Sequence, residues 1–86
     1  MKIKFSKKFK KQFTKFPSKV KSAFELRLEL FISNPRAPLL RAHKLSGELK
    51  DYSSFSVTGD YRAIYRIDNE TIYIFEMIGT HSELYK

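Results

Sequence analysis

The chain changes its hydrophobic period once, from helical to extended. Residues 1–5 alternate weakly, with Met1, Ile3 and Phe5 apolar, and read as a short strand. Ser6 is placed to cap a helix. Phe9, Phe13 and Phe16 then recur at helical spacing while lysines fill the other faces. Pro17 stands where a second helix begins, a position that suits its fixed φ and missing donor. Val20, Ala23, Phe24, Arg27, Leu28, Leu30 and Phe31 follow an i, i+3, i+4 pattern, and Asn34-Pro35 stops it. Residues 35–51, with two prolines and a glycine, read as a loop. From there the period is 2, in three runs over residues 52–57, 61–67 and 71–78, separated by turn signals at Thr58-Gly59-Asp60 and Asp68-Asn69-Glu70. Gly79-Thr80 ends the third run, and the tail "HSELYK" is too short to assign.

The predicted order is therefore β-α-α-β-β-β, an α+β fold with a helical hairpin packed on one face of a mainly antiparallel sheet. The opposite sheet face is left for a function. Phe13, Phe24, Leu28 and Phe31 are expected between helices and sheet, against some of Tyr65, Ile67, Ile72 and Ile74. At 86 residues the chain reads as a single domain, 1–86. Such a domain buries roughly 60–65% of its unfolded surface, enough for one core dominated by its eight Phe and five Tyr. There is little room for a large cofactor cavity, so cofactor-free chemistry or a binding role is expected.

Charge sharpens the picture. Residues 1–50 hold fourteen of the seventeen Lys and Arg and three of the nine acids, or +11, whereas residues 51–86 carry −3. Between Lys2 and Lys21 stand nine lysines and no acid. A solvated helix face is the ordinary reading of a charge run. An uncompensated field of this strength instead calls for a partner such as nucleic acid, an anionic membrane or an acidic protein, with Lys7, Lys8, Lys10, Lys11 and Lys15 as the candidate binding set. Cysteine is absent, which removes disulfides, thiolate metal sites and thiol nucleophiles. The basic start is not followed by an apolar run of signal or membrane-spanning length, so a soluble, uncleaved, cytoplasmic protein is expected, with no role at a membrane.

Few residues remain for chemistry. The sequence has no glycine-rich phosphate loop and no serine elbow, and its two histidines stand far apart, a poor metal site. What is left is His43, Asp60, Arg62, His81, Glu83 and Tyr85. In a meander the start of the second run lies beside the end of the third, which brings Arg62 near His81, and the entry loop can bring His43 to the same place. This set suits metal-free RNA cleavage, in which the ribose 2′-hydroxyl attacks the adjacent phosphate. Histidine serves as base or acid near neutrality, and arginine stabilises the charged phosphorane. The plainer alternative is two idle surface histidines and an Arg62 paired with Asp60 or Glu76.

From His43 onward, "HKLSGELKDYSSFSVTGDYRAIYRI" and "IGTHSELY" resemble the RelE/ParE superfamily of type II toxins, specifically mRNA interferases of the RelE and YafQ type. The "H-x-L-x-G" entry loop, the "GDYRAIY" strand and the "GTH" ending carry the resemblance, and the element order extends it over the whole chain. It implies that His43, Asp60 and His81 belong to a catalytic set, that Arg62 stabilises the phosphate, and that Tyr85 matches a tyrosine near the RelE C-terminus. Two positions depart from the pattern. The further histidine of YafQ-like toxins falls at Ser56, and the RelE lysines have no basic counterpart in "YSSFSV".

The implied function is a ribosome-dependent mRNA endonuclease without cofactor or metal, monomeric when free and neutralised by an acidic, amphipathic antitoxin. The alternative is a ParE-like binding toxin acting on DNA gyrase, or a degenerate toxin that only binds antitoxin. Holding His43, Arg62 and His81 together favours the nuclease.

Overall fold

The computed structural model describes residues 1–85. The elements are β1 (Lys2–Phe5), α1 (Lys7–Thr14), α2 (Ser18–Ser33), β2 (His43–Lys44), β3 (Ser53–Ser56), β4 (Tyr61–Asp68), β5 (Ile72–Thr80) and α3 (His81–Leu84). They form the expected α+β fold, with the helical hairpin on one face of a five-stranded sheet of order β1-β5-β4-β3-β2. Strand β1 is parallel to β5, and every other pairing is antiparallel.

The long loop proves more ordered than its composition implies. It contains short 3₁₀ turns at Pro38–Leu40 and Gly47–Leu49, and the two-residue β2, which pairs His43 with Ser54 and Lys44 with Ser53. Two residues carry no periodicity, so only the pairing partner reveals this strand. Within the unassigned tail His81–Leu84 are helical: Thr80 and Glu83 form a reciprocal capping box that starts α3.

The core is aromatic. Phe9, Phe24 and Phe31 of the helices meet Phe55, Tyr65 and Phe75 of the sheet, with ring centroids 5.0 Å apart for Phe31–Tyr65, 5.1 Å for Phe31–Phe55 and 5.8 Å for Phe24–Phe75. Phe13 and Leu28 are only partly buried, since with Phe5 and Phe9 they also line a surface groove. Three of the sheet partners expected for these helices are different. Ile72 and Ile74 stand opposite Lys2 and Lys4, on the reverse face from Tyr73 and Phe75. Ile67 keeps the face of Tyr65 but is 50% exposed. Phe31, the last buried residue of α2, already rests on Tyr65 and Tyr73, so no helical side chain is left to cover it.

Helix α1 also closes an edge. Beyond Phe75 the strand β5 has outrun β1, and its outward groups need partners. The Ser6 hydroxyl donates to the Glu76 carbonyl at 3.0 Å, and the Ile78 N–H donates to the Gln12 side-chain oxygen at 2.9 Å. The Ser6 hydroxyl oxygen also accepts from Phe9 N–H, capping α1. A bulge at Glu76, between the Tyr65–Phe75 and Ile64–Met77 pairs, turns its carboxylate onto Arg66 Nε at 3.0 Å.

Candidate active site

Strand register decides which side chains share a surface. His43 lies opposite Ser54, and Ser54 opposite Ile64; in the next row Ser56 lies opposite Arg62, and Arg62 opposite Gly79. Cross-strand partners project from the same face. The alternating residues Phe55, Ala63 and Ile78 belong to the core, so both rows face away from the helical hairpin. His43 and Arg62 are thus two strands and one row apart, roughly 12 Å between backbones at ordinary sheet spacings.

His43 is exposed at the start of β2, with Nδ1 3.0 Å from the Arg41 carbonyl oxygen. A carbonyl only accepts, so in the neutral ring Nδ1 carries the proton and Nε2 presents the lone pair. Arg62 is half-buried, and its Nη1 donates to the Ser56 hydroxyl at 3.3 Å. It pairs with neither carboxylate considered from sequence. Glu76 is taken by Arg66, whose guanidinium pKa is raised by that hydrogen bond. Among the described residues no carboxylate forms a salt bridge with Arg62.

His81 opens α3 one residue beyond the Tyr61–Thr80 pair, at the Arg62 end of β4. Its backbone N–H donates to the Asp60 carbonyl at 3.3 Å, so Asp60 touches His81 through its main chain. The His81 ring lies 4.6 Å from the Tyr85 ring, and Tyr85 N–H closes the turn on the His81 carbonyl at 3.0 Å. Glu83, a candidate from sequence, builds this turn: its Oε1 accepts from Thr80 N–H at 2.8 Å and from the Thr80 hydroxyl at 3.0 Å. Gly79 admits it. A Cβ there would stand 3.2 Å from Glu83 Oε1 and 3.5 Å from Leu84 Cδ2, so the carboxylate that caps α3 would have to shift by a few tenths of an ångström.

The five candidate lysines are all exposed on or next to α1, but not on one face. Lys8, Lys11 and Lys15 line a cavity of about 480 Å³ with Tyr61 and Glu83, contiguous with the His81 turn. Lys10 borders the apolar groove over Phe5, Phe9 and Phe13 instead. Among the described residues no group of three or more His, Cys, Asp or Glu is arranged to hold a metal ion. No described helix is long and apolar enough to cross a membrane.

Ser56 and Arg27 are the residues the sequence reading missed. Arg27 Nη1 donates to the Ser56 carbonyl at 2.9 Å and to the Leu39 carbonyl at 3.0 Å, while the Ser56 hydroxyl holds Arg62. The available signal was a charged residue on the apolar stripe of α2, a position that demands a partner.

No curated protein matches the chain. Solved structures do. YafQ from E. coli superposes with a TM-score of 0.80 at 26% identity, covering 98% of this chain and 97% of that one. The E. coli DinJ–YafQ toxin–antitoxin complex gives 0.76 at 26% identity, covering 98% and 96%. A metal-bound toxin from Helicobacter pylori gives 0.71 at 30% identity, covering 99% of both chains. The family model for the bacterial toxin of type II toxin–antitoxin systems, YafQ, matches residues 1–86. The resemblance carried by the entry loop, the "GDYRAIY" strand and the "GTH" ending is borne out over the full length, and the chain belongs to the YafQ family of type II toxins.

Proposed function

We propose that this toxin is an endoribonuclease that cuts mRNA on the ribosome, inhibits translation in the cytoplasm, and is neutralised by a cognate acidic antitoxin. The observation that carries the reading is Arg62. It is a half-buried arginine steadied by the Ser56 hydroxyl, with no described carboxylate bridging it, beside the turn that bears His81 and on the face that bears His43. An arginine left without an anion in such a place suits a phosphate that arrives with the substrate. The antitoxin is supported by the E. coli relative, whose complex with DinJ is a solved structure.

The chemistry balances without a cofactor. His43 Nε2 takes the proton of the ribose 2′-hydroxyl as its oxygen attacks phosphorus. Arg62 neutralises the equatorial oxygens of the phosphorane. The P–O5′ bond breaks, His81 gives its proton to the departing 5′-oxygen, and the products are a 2′,3′-cyclic phosphate and a 5′-hydroxyl. Tyr85 supports the His81 ring through the tilted ring contact above, and Asp60 holds the His81 backbone through the main-chain hydrogen bond. The free toxin acts as a monomer, with Lys8, Lys11 and Lys15 on ribosomal RNA through counterion release.

The test is end-mapping of mRNA cleaved on programmed ribosomes. Arg62→Ala is expected to slow cleavage by about 100-fold or more, and His81→Ala by about 100- to 10,000-fold, with both variants folded. Products bearing 3′-hydroxyl ends would exclude the mechanism. Undiminished growth arrest by the double variant would make this a binding toxin, with gyrase the next target to assay.

A further inference from the structure

Beside the Arg62 row lies a cationic pocket that the cleavage chemistry does not use. It has a volume of about 130 Å³ and is lined by Arg27, Leu39, Arg41, Ser56, Thr58 and Gly59. This is well below the roughly 300–1,000 Å³ of a site for a drug-sized molecule, and fits one small polar group. Two arginines line it and no acidic residue does. Neither arginine forms a salt bridge among the described residues. Arg27 spends Nη1 on the Leu39 and Ser56 carbonyls, and its Nε and Nη2 donors have no hydrogen-bond partner among the described residues. Arg41 is exposed, and its backbone is left-handed at φ 50°, a conformation that disfavours any residue with a Cβ.

We infer that this pocket is a second phosphate subsite, holding the RNA backbone phosphate next to the one on Arg62. The inference rests on the nuclease reading. Its geometry comes from Ser56, which is shared: the carbonyl fixes Arg27 at the pocket and the hydroxyl fixes Arg62 at the cleavage row. Ser56 thus anchors one arginine at each subsite, and a strand passing over it meets both. Arginine forks match the two free oxygens of a phosphodiester. Arg41 links the subsites a second way, because its carbonyl holds His43 Nδ1 and the same residue lines the pocket. Its role is to bind and register the RNA; the reacting atoms stay with Arg62 and the histidines.

The left-handed backbone supplies a clean variant. Glycine adopts φ near 50° without strain, so Arg41→Gly removes the guanidinium and keeps the carbonyl that orients His43. Asparagine also tolerates this region, and Arg41→Asn serves as the second variant. The measurement is single-turnover cleavage of a short synthetic mRNA on ribosomes against toxin concentration. Both variants are expected to raise the half-saturating concentration about 10-fold, the loss of one charge-assisted contact, far more than they lower the maximal rate. Replacing the neighbouring phosphate by an uncharged methylphosphonate should impose the same penalty on the unaltered toxin and no further penalty on Arg41→Gly. Additive penalties, or an unchanged half-saturating concentration while Arg62→Ala still abolishes turnover, would overturn the subsite and leave the nuclease standing. Arg41 variants that lose antitoxin affinity with RNA cleavage untouched would assign the pocket to an antitoxin carboxylate instead. Absence of cleavage by the unaltered toxin would sink the nuclease reading and the subsite with it.

Discussion

Tyr65 shows how a single buried side chain ties the fold to pH. Its ring is wedged against Phe31, Phe55 and Phe75, and burial pushes its phenol up to about 12, with neighbouring Tyr73 adding to the rise and a Ser53 hydrogen bond opposing it. The folded state thus holds this proton more tightly than the unfolded chain, where a tyrosine titrates near 10. The contribution is fully present below pH 10 and is lost as pH rises through 12, by on the order of 2 kcal/mol. Tyr65→Phe keeps the ring and removes the proton, so its unfolding free energy should fall less steeply between pH 10 and 12 in denaturant titrations. An identical slope would mean that the phenol is solvated. Arg62 and His81 could be singled out as candidates at this scale, because a meander sets the start of one strand beside the end of the next. Arg41 could not, since nothing in "RAHKL" reports a left-handed backbone.

At the scale of elements, α1 is built against its own electrostatics. Its first turn holds Lys7 and Lys8 and no acid, so positive charge meets the positive end of the helix dipole, an arrangement that costs about 0.3–1 kcal/mol per charge at low salt. The eight-residue helix persists because Ser6 caps it, Phe9 is buried, and Gln12 anchors to the edge of β5. Lysines placed at a helix N-terminus despite that penalty fit a contact with a polyanion. Reversing Lys8, Lys11 and Lys15 to Glu should weaken ribosome association and flatten its salt dependence, while stability changes by less than about 0.5 kcal/mol per site. Ribosome pelleting at several salt concentrations checks this, and unchanged binding would leave the lysines as a solubility face. Helix α3 makes the opposite point. Its four residues have no detectable period, yet a capping box and the bare Gly79 fold it onto the sheet, and His81 with it.

For the whole molecule, stability concentrates where α2 crosses the sheet. Phe24 is 3% exposed and touches rings from four elements: Phe5 of β1, Phe9 and Phe13 of α1, Phe55 of β3 and Phe75 of β5. Truncation to Ala should cost about 3–5 kcal/mol, most of what so small a domain has. Equilibrium urea unfolding measures it, and a loss below 1 kcal/mol would mean that the ring is not the keystone its contacts imply.

The sequence by itself determined the local terms: which segments coil and which extend, where caps and turns interrupt them, and that an aromatic core would sit under a lysine-rich hairpin. These follow from periodicity and side-chain chemistry within a few residues. Tertiary structure decided what pairs with what. β1 joins β5 in parallel across some seventy residues of chain, and its register sends Ile72 and Ile74 away from the core. Two residues of loop become β2 only because β3 offers an unpaired edge. Arg27, on the apolar stripe of α2, gains its partner only when the Ser56 carbonyl arrives beneath it. Such long-range matches depend on which backbone groups remain unsatisfied once the core has closed, a condition set by the assembled chain and carried by no segment alone.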